Sequence, residues 1–416
     1  MATDTAHDVA GPGRIAALDA LQVRDFRYLW FNAFSFYVSR GMGMIATSWL
    51  VLDMTDSRFL VGAVLFVQGA PLALFSLPAG IMADRVDRRW LLIVSQGATT
   101  AATGVLTVLI VAGIVTTWEI FALAFAMGSA MALGQPPRQA LVPALVGPDK
   151  LMNAIVLNNL IQNLSFVIGP AFAGVLLATT GFSGTFIAQV ALLAVGLPWL
   201  LSMRSPRVER VQKRASGLAD LREGLAHIGD SPFILSLFAV TAFTGVFFVG
   251  SYQALVPIFA RDVLDVGSLG LGMLSAAFGA GMFAGSIYIA SRGNFARKGE
   301  VLLISLLIGS VVFLVFALSR WYALSLVTMV AWGFGAAFFM NLTMTLIQSH
   351  TPDRLMGRVM AVQALAFYGM SPVGNLVGGA IAQLANAPAA AVVGAVAVGL
   401  MSAYFFLRRP ELREAT

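Results

Sequence analysis

Arg40 is the residue whose position most needs a chemical explanation. It lies near the middle of a long apolar segment that runs from Phe26 to Leu52. A charge at the centre of a membrane-spanning helix costs at least about 2.5–3.5 kcal/mol. We therefore expect one of two arrangements. The guanidinium either faces an aqueous cavity, where it binds an anionic or carbonyl-rich ligand, or it bonds to backbone carbonyls and polar neighbours in a structural role.

Side-chain amides recur inside the other apolar segments. Asn158 and Gln162 are four residues apart, so on a helix they share one face, which Ser165 and Gly169 continue. This polar stripe predicts a helix face turned toward water. Four further amides stand singly in their segments: Gln68, Gln253, Asn341 and Gln363. Each is expected either to contact a ligand or to form an interhelical hydrogen bond worth about 0.6 kcal/mol.

A dense cluster of charges lies in residues 78–91, between two apolar segments. A basic cluster of this kind holds a loop on one side of a membrane. Asp84 adds nothing to that effect, which favours a second interpretation, a conformational latch in which the acid binds a neighbouring arginine or a helix N-terminus. A helix N-terminus attracts an anion by about 0.3–1 kcal/mol. The predicted latch residues are Gly80, Asp84, Arg85, Arg88, Arg89 and Arg138.

Several classes of chemistry have no residues to support them. The chain contains no cysteine, and its histidines, His7, His227 and His350, have no metal-ligand spacing. The glycine-rich stretch 279–285 lacks the third glycine of a dinucleotide loop, and no phosphate-binding loop is present. We therefore predict no metal, no cofactor and no enzymatic activity. The net charge of +6 raises nucleic acid as a partner, but membrane topology explains the basic residues better, so no nucleic acid is expected.

Composition identifies the solvent of this chain as lipid. Hydrophobic residues make up 58% of its 416 residues and charged residues only 11%, whereas soluble domains carry about 25% charged residues. The apolar runs are continuous, not alternating, which predicts spanning helices instead of barrel strands. Twelve runs are long enough to cross a bilayer. Most of the 26 basic residues fall in segments on one side, which predicts that both termini are cytoplasmic.

The two halves of the chain resemble each other. The sequence Pro-Asp-Lys-Leu-Met at 148–152 returns as Pro-Asp-Arg-Leu-Met at 352–356, and each copy leads into an apolar helix. A duplicated six-helix unit places a binding site between its copies. The predicted divisions are a cytoplasmic tail (1–24), a six-helix bundle (25–203), a cytoplasmic central loop (204–230), a second six-helix bundle (231–408) and a cytoplasmic tail (409–416).

These features resemble the major facilitator superfamily of transporters. Its loop signature is matched by Gly80, Asp84, Arg85, Arg88 and Arg89, with Asp87 where glycine is usual. Residues 49–57, 137–143, 158–164 and 357–361 are similar to the bacterial branch of enterobactin exporters and drug-efflux permeases. The resemblance implies an all-α fold of twelve transmembrane helices in two pseudo-symmetric bundles. It also implies a bacterial inner-membrane location, a monomer, and a latch in which Asp84 faces the eleventh helix.

The function expected from the residues and the resemblance is efflux. The protein would move an amphipathic small molecule, either a drug-like compound or a siderophore, by alternating access. The resemblance implies that protons are the coupling ion. No acid lies in the middle of a predicted span, so the residues themselves do not identify a proton carrier. The best available candidate is Asp53, near the outer end of the first span. One alternative is transport of a specific organic anion held by Arg40. A different class, a membrane receptor or assembly protein without transport, also stays open.

Overall fold

The computed structural model of the chain describes residues 16–204, 217–293 and 295–415. Helices dominate these residues, and they contain no strand. The predicted tail at 1–15 and the basic segment 205–216 lie outside the described residues. The α-helices are α1 (Arg24–Thr55), α2 (Arg58–Arg85), α3 (Arg88–Val111), α4 (Thr117–Val146), α5 (Leu151–Ser202), α6 (Gly217–Asp230), α7 (Pro232–Thr244), α8 (Ser251–Ile258), α9 (Gly267–Arg292), α10 (Lys298–Leu318), α11 (Tyr322–Ser349), α12 (Asp353–Leu384), α13 (Ala387–Arg408) and α14 (Pro410–Arg413).

The first half of the molecule, α1–α5, is built on one long bent helix. α5 contains a non-helical residue, Gly181, at φ 68° and ψ −164°. Glycine reaches this backbone conformation without the steric penalty of a Cβ atom. The bend falls between the fifth and sixth predicted spans, residues 154–178 and 182–203, so α5 supplies both of them. α1 packs along α5, and α2 packs on α4.

The second half, α7–α13, contains irregular turns inside its first membrane helix. α7 and α8 are joined by a π-helical turn at Gly245–Gly250, and a second π-helical turn, Phe259–Val263, follows α8. Together they form a continuous helical rod over Pro232–Val263. α6 belongs to the predicted central loop, and its Glu223 forms an ion pair with Arg358 at the start of α12.

Ten helices of the described chain are long and apolar enough to cross a membrane. One of them, counted from Pro148 to Ser202, is 55 residues long and bends at Gly181. α1 is not among the ten, although it covers the first predicted span; its polar residues, among them Asn32 and Arg40, reduce its hydropathy. The chain is therefore a multi-pass membrane protein, and the count of twelve stays a prediction.

Small residues bring the two halves into backbone contact near the turn between α1 and α2, the predicted outer end of the molecule. A Cβ atom placed on Gly62 of α2 would lie 2.2 Å from the carbonyl oxygen of Asn375 in α12. Gly174 of α5 and Gly272 of α9 face each other in the same way, with 2.7 Å between a built Cβ and the opposite Cα. Only glycine allows these close approaches.

An ion cluster joins the halves at the same end. Arg58 donates from Nε to Asp262 Oδ2 at 2.7 Å, and Arg261 pairs with both Asp262 and Asp56. Arg261 also donates from Nη1 to the carbonyl of Leu52, at 2.7 Å. Asp56 and Arg58 belong to the first half, and Arg261 and Asp262 to the second. The cluster therefore ties the halves together beyond the glycine contacts.

The opposite, predicted cytoplasmic end of the molecule lacks this contact. Gly80, near the end of α2, and Gly357, near the start of α12, each have no heavy atom of a described residue within 4 Å of a built Cβ. Both residues line the cavity between the halves. Gly80, a predicted latch residue, makes no close backbone contact with another described helix in this conformation. The halves are thus closed at the outer end and separated at the other.

A bulky side chain at Gly62 should push the outer end apart. Gly62→Val would press against backbone atoms of α12, and overpacking of this kind costs about 1–3 kcal/mol. Spin labels at Phe59→Cys and Leu384→Cys, which are 40% and 88% exposed, can report the separation, because the chain has no other cysteine. Pulsed electron paramagnetic resonance should show an added population of longer distances.

Gly97→Val is the matched control, because no heavy atom lies within 4 Å of a Cβ at Gly97. The control should keep the native distance distribution. If Gly62→Val also keeps it, the outer glycine contact does not hold the halves together.

Candidate functional site

A cavity of about 1490 Å³ lies between the two halves. Ligand pockets in proteins are commonly about 300–1,000 Å³, so this space admits a large organic molecule. Its walls come from helices of both halves. It reaches from Leu65 and Asn375, near the closed outer end, to Gly80 and Arg358 at the separated end.

Five of the seven residues predicted to bind substrate lie on the wall: Arg40, Gln68, Gln162, Gln253 and Asn341. Arg40 is exposed to the cavity. No hydrogen bond or ion pair joins it to another described residue. This position agrees with the first expected arrangement, and binding of a ligand by Arg40 stays a prediction. Asn341 donates to the carbonyl of Ala337 at 2.8 Å, and Gln253 accepts from Asn375 at 3.2 Å.

Asn158 and Gln363 do not line the cavity. Gln363 donates from Nε2 to the hydroxyl of Thr241 at 3.3 Å, which is the interhelical role weighed for it. On α5, Asn159 and Asn163 stand beside Gln162 on the wall instead of Asn158. The polar stripe thus exists, but it is rotated by one residue. The exact rotation of a helix follows from its packing, which the spacing of two amides does not determine.

The wall also contains amides that the sequence analysis missed. Among the described residues, the first half contributes seven in all: Gln68, Gln135, Gln139, Asn159, Gln162, Asn163 and Gln189. The second half contributes three: Gln253, Asn341 and Asn375. Gln135 and Gln139 lie on either side of the pair Pro136 and Pro137. They share a helix face at a spacing of four residues, and this spacing could have identified them from the sequence. Gln189 and Asn375 are single amides in apolar helices, so no pattern distinguishes them.

Aromatic side chains on the cavity wall come mainly from the second half, whereas the amides come mainly from the first. The first half contributes Phe36, Tyr37 and Phe166. The second half contributes Phe248, Tyr252, Phe278, Phe283, Trp332, Phe339 and Phe367. The cavity therefore has one wall rich in amides and one wall rich in aromatic rings.

Arg138, a predicted latch residue, has a structural environment in this conformation. It is 3% exposed, and its Nη1 donates to Asn32 Oδ1 at 2.8 Å. Its guanidinium carbon lies 4.5 Å from the ring centroid of Phe36. Asn32 in turn donates to Gln96 and to the carbonyl of Gly196. This network ties α4 to α1, α3 and α5.

The charged turn between α2 and α3 is held by hydrogen bonds between its side chains and nearby backbone groups. Asp87, which replaces the usual glycine, caps α3 by accepting hydrogen bonds from the backbone N–H groups of Arg89 and Trp90. Arg89 donates to the carbonyls of Leu200 and Leu201 at the end of α5, where a cation complements the helix dipole. Arg88 donates to the carbonyl of Ala83. Arg85 is exposed, and the side chain of Asp84 lies outside the described part of the structure.

Removal of Asn32 should destabilise the protein, because the buried guanidinium of Arg138 loses its hydrogen bond. A hydrogen bond to a charged group contributes about 1.5–3 kcal/mol to stability. We expect Asn32→Leu to lower the free energy of unfolding by at least this amount and to lower the melting temperature in detergent.

Asn159→Leu provides the same substitution on the exposed cavity wall, and it should leave the melting temperature nearly unchanged. Equal melting temperatures for the two variants would contradict the structural role of the Arg138 network.

Comparison with known proteins agrees with this architecture. The family described as transmembrane secretion effector matches residues 15–416. The enterobactin exporter EntS of Shigella boydii serotype 4 is 28% identical over 349 residues, which cover 80% of this chain and 79% of that protein. The enterobactin exporter of Escherichia coli O139:H28 is 27% identical over the same coverage.

Solved structures show the same fold at low sequence identity. The nucleoside transporter NupG (D323A mutant) superposes with a TM-score of 0.75 at 13% identity, covering 92% of this chain and 99% of that one. A bacterial homolog of the human lysosomal transporter Spinster gives 0.73 at 15% identity, with 93% and 97% coverage. Two helical halves, a cavity between them and a family match over nearly the whole length lead to one conclusion. The chain belongs to the transmembrane secretion effector family, within the major facilitator superfamily of transporters.

Proposed function

We propose that this protein is a secondary active transporter that exports an amphipathic small molecule, a siderophore or a drug-like compound, by alternating access. The protein acts as a monomer in the bacterial inner membrane, with both termini in the cytoplasm. Its substrate enters the cavity between the halves from the cytoplasm and leaves at the outer end.

The observation that carries this proposal is a cavity closed at one end only. The glycine contacts and the ion cluster close the outer end, while at the other end a Cβ built on Gly80 or Gly357 meets no described atom within 4 Å. A transporter needs two states that differ by a few kcal/mol, and a ligand can shift such an equilibrium by its differential affinity. The outer ion pairs are partly exposed, so they can break at low cost, which suits a reversible closure.

Two considerations support export of an amphipathic cargo. The EntS relatives are enterobactin exporters by name. The cavity wall also combines amides and Arg40 with aromatic rings, so it offers partners for both polar and apolar parts of a molecule. Arg40, whose charge faces the cavity, favours the second candidate function, transport of a specific organic anion.

Proton coupling and the latch belong to the same proposal. No acid among the described residues lines the cavity, so we assign the coupling proton to the acids of the outer end, where Asp53 is exposed and Asp56 and Asp262 belong to the ion cluster. At the cytoplasmic end, closure would bring Gly80 and Asp84 toward the start of α12. Asp84 would then bind that helix N-terminus and hold the inner end shut.

Transport driven by a pH gradient is the decisive test. Purified protein in liposomes with an acidic interior should accumulate enterobactin from the medium through molecules whose cytoplasmic end faces outward. Collapse of the gradient with a protonophore should abolish accumulation. Accumulation that is independent of the gradient would contradict proton coupling, and no accumulation of enterobactin or of amphipathic dyes would contradict export.

Ala364→Trp supplies the site control, because Ala364 is exposed on the cavity wall and an indole there would occupy the substrate space. Ala101→Trp makes the same change at an exposed position outside the cavity. Accumulation should fall strongly in the first variant and persist in the second. Equal accumulation would place the route of the substrate elsewhere.

A further inference from the structure

We propose that the cavity binds aromatic organic anions, with the acid group on Arg40 and the ring against a wall formed by Phe248, Tyr252, Phe278 and Trp332. This inference rests on the proposed transport function and adds the substrate class. It follows from three independent properties of the cavity: the sign of its charge, its unpaired polar groups, and the arrangement of its aromatic side chains.

The charge on the described part of the cavity wall is positive. Among the described lining residues, only Arg40 and Arg358 carry a charge, and none is acidic. Arg358 lies at the cytoplasmic end of the cavity and pairs with Glu223 of α6. Arg40 lies deeper, and no described acid compensates it. In a largely apolar environment, an unpaired guanidinium favours an anion, which it can bind through two parallel hydrogen bonds.

Unpaired polar atoms flank Arg40. The hydroxyl of Ser165 and Oε1 of Gln189 have no hydrogen-bond partner among the described residues, although these residues are only 3% and 5% exposed. Both residues line the cavity. Both also pack against α1 next to Arg40: the backbone carbonyl of Ser165 lies 3.3 Å from a Cβ built on Gly41, and the side chain of Gln189 contacts Gly43. Buried polar groups without partners are rare; the hydroxyl of Ser165 can donate to an anion, whereas Oε1 of Gln189 can only accept a hydrogen bond.

The aromatic wall is formed before any ligand arrives. Ring centroids lie 4.4 Å apart for Tyr252 and Phe278, 5.1 Å for Phe278 and Trp332, and 5.3 Å for Phe248 and Trp332. Behind them, the fully buried Phe313 stacks on Trp332 at 4.5 Å. Such packing fixes the side-chain rotamers, so the protein loses little conformational entropy when a flat ligand binds.

A π-helical turn helps to place these rings. Gly245–Gly250 is π-helical, and it contains Phe248 and immediately precedes the turn that carries Tyr252. π-helical turns occur frequently at functional sites. α1, which carries Arg40, contacts α8, which carries Tyr252. The cation and the aromatic wall therefore lie on neighbouring helices of opposite halves and line the same cavity.

Three probes of similar size test the need for an acid group and the need for an aromatic ring separately. They are 2-naphthoate, its neutral analogue N-methyl-2-naphthamide, and its saturated analogue decahydro-2-naphthoate. Titration calorimetry on the purified full-length protein should give the tightest binding for 2-naphthoate. We expect about tenfold or more over the amide, from the charged hydrogen bonds. We expect about two- to tenfold over the saturated acid, from ring packing.

Two variants assign each preference to its wall. Arg40→Met should remove the preference for the acid over the amide, while the preference for the aromatic ring persists. Phe278→Leu should reduce the ring preference and keep the acid preference. Phe334→Leu is the matched control, because Phe334 is equally half-buried but does not line the cavity, and it should change neither ratio.

Each outcome bears on one claim. Binding of 2-naphthoate no tighter than that of its analogues, or ratios unchanged in Arg40→Met and Phe278→Leu, would overturn the assignment of substrate class. If enterobactin or a dye is still transported in that case, the proposed transport function survives. Conversely, the expected binding ratios in a protein that moves nothing across liposomes would support the aromatic-anion site and contradict the transport function.

Discussion

The cost of placing a guanidinium inside a membrane determines much of this structure. The chain meets that cost in two ways. Arg138 is buried, with one hydrogen bond to Asn32 and an aromatic face against it, and it connects the helices of the first half. Arg40 has no such partner among the described residues and instead faces the cavity. Because an unpaired charge in lipid would cost several kcal/mol, Arg40 requires that this space hold water or a ligand.

The interface between the halves depends on small residues at one end. Helices in a bilayer gain little from hydrophobic burial against each other, so close packing carries their association. Gly62 and Gly174 allow backbone contact at the outer end, and the ion cluster of Arg58, Arg261, Asp56 and Asp262 adds charge pairing there. These ion pairs are partly exposed, so each contributes little. These ion pairs therefore add little to the glycine packing that holds the outer end closed.

The sequence predicts some of these features and not others, for a physical reason. The bend at Gly181 and the cavity position of Arg40 were predictable, because a break between apolar runs and a charge inside one are strong signals. The wall positions of Gln189 and Asn375 were not, since a helix that is apolar on all sides gives no indication of which face meets the cavity. The structural role of Arg138 likewise depends on Asn32, which is distant in sequence and unremarkable in composition.

The unequal walls of the cavity suggest how ligand binding connects to movement. The amides and Arg40 belong mainly to the first half, and most aromatic rings belong to the second. A molecule that contacts only one wall binds equally well in any arrangement of the halves and shifts no equilibrium. A molecule with an acid and an aromatic ring contacts both walls at once, so its affinity depends on their separation. Under the proposed alternating access, the division of chemistry between the halves links the binding of such a molecule to the conformational change.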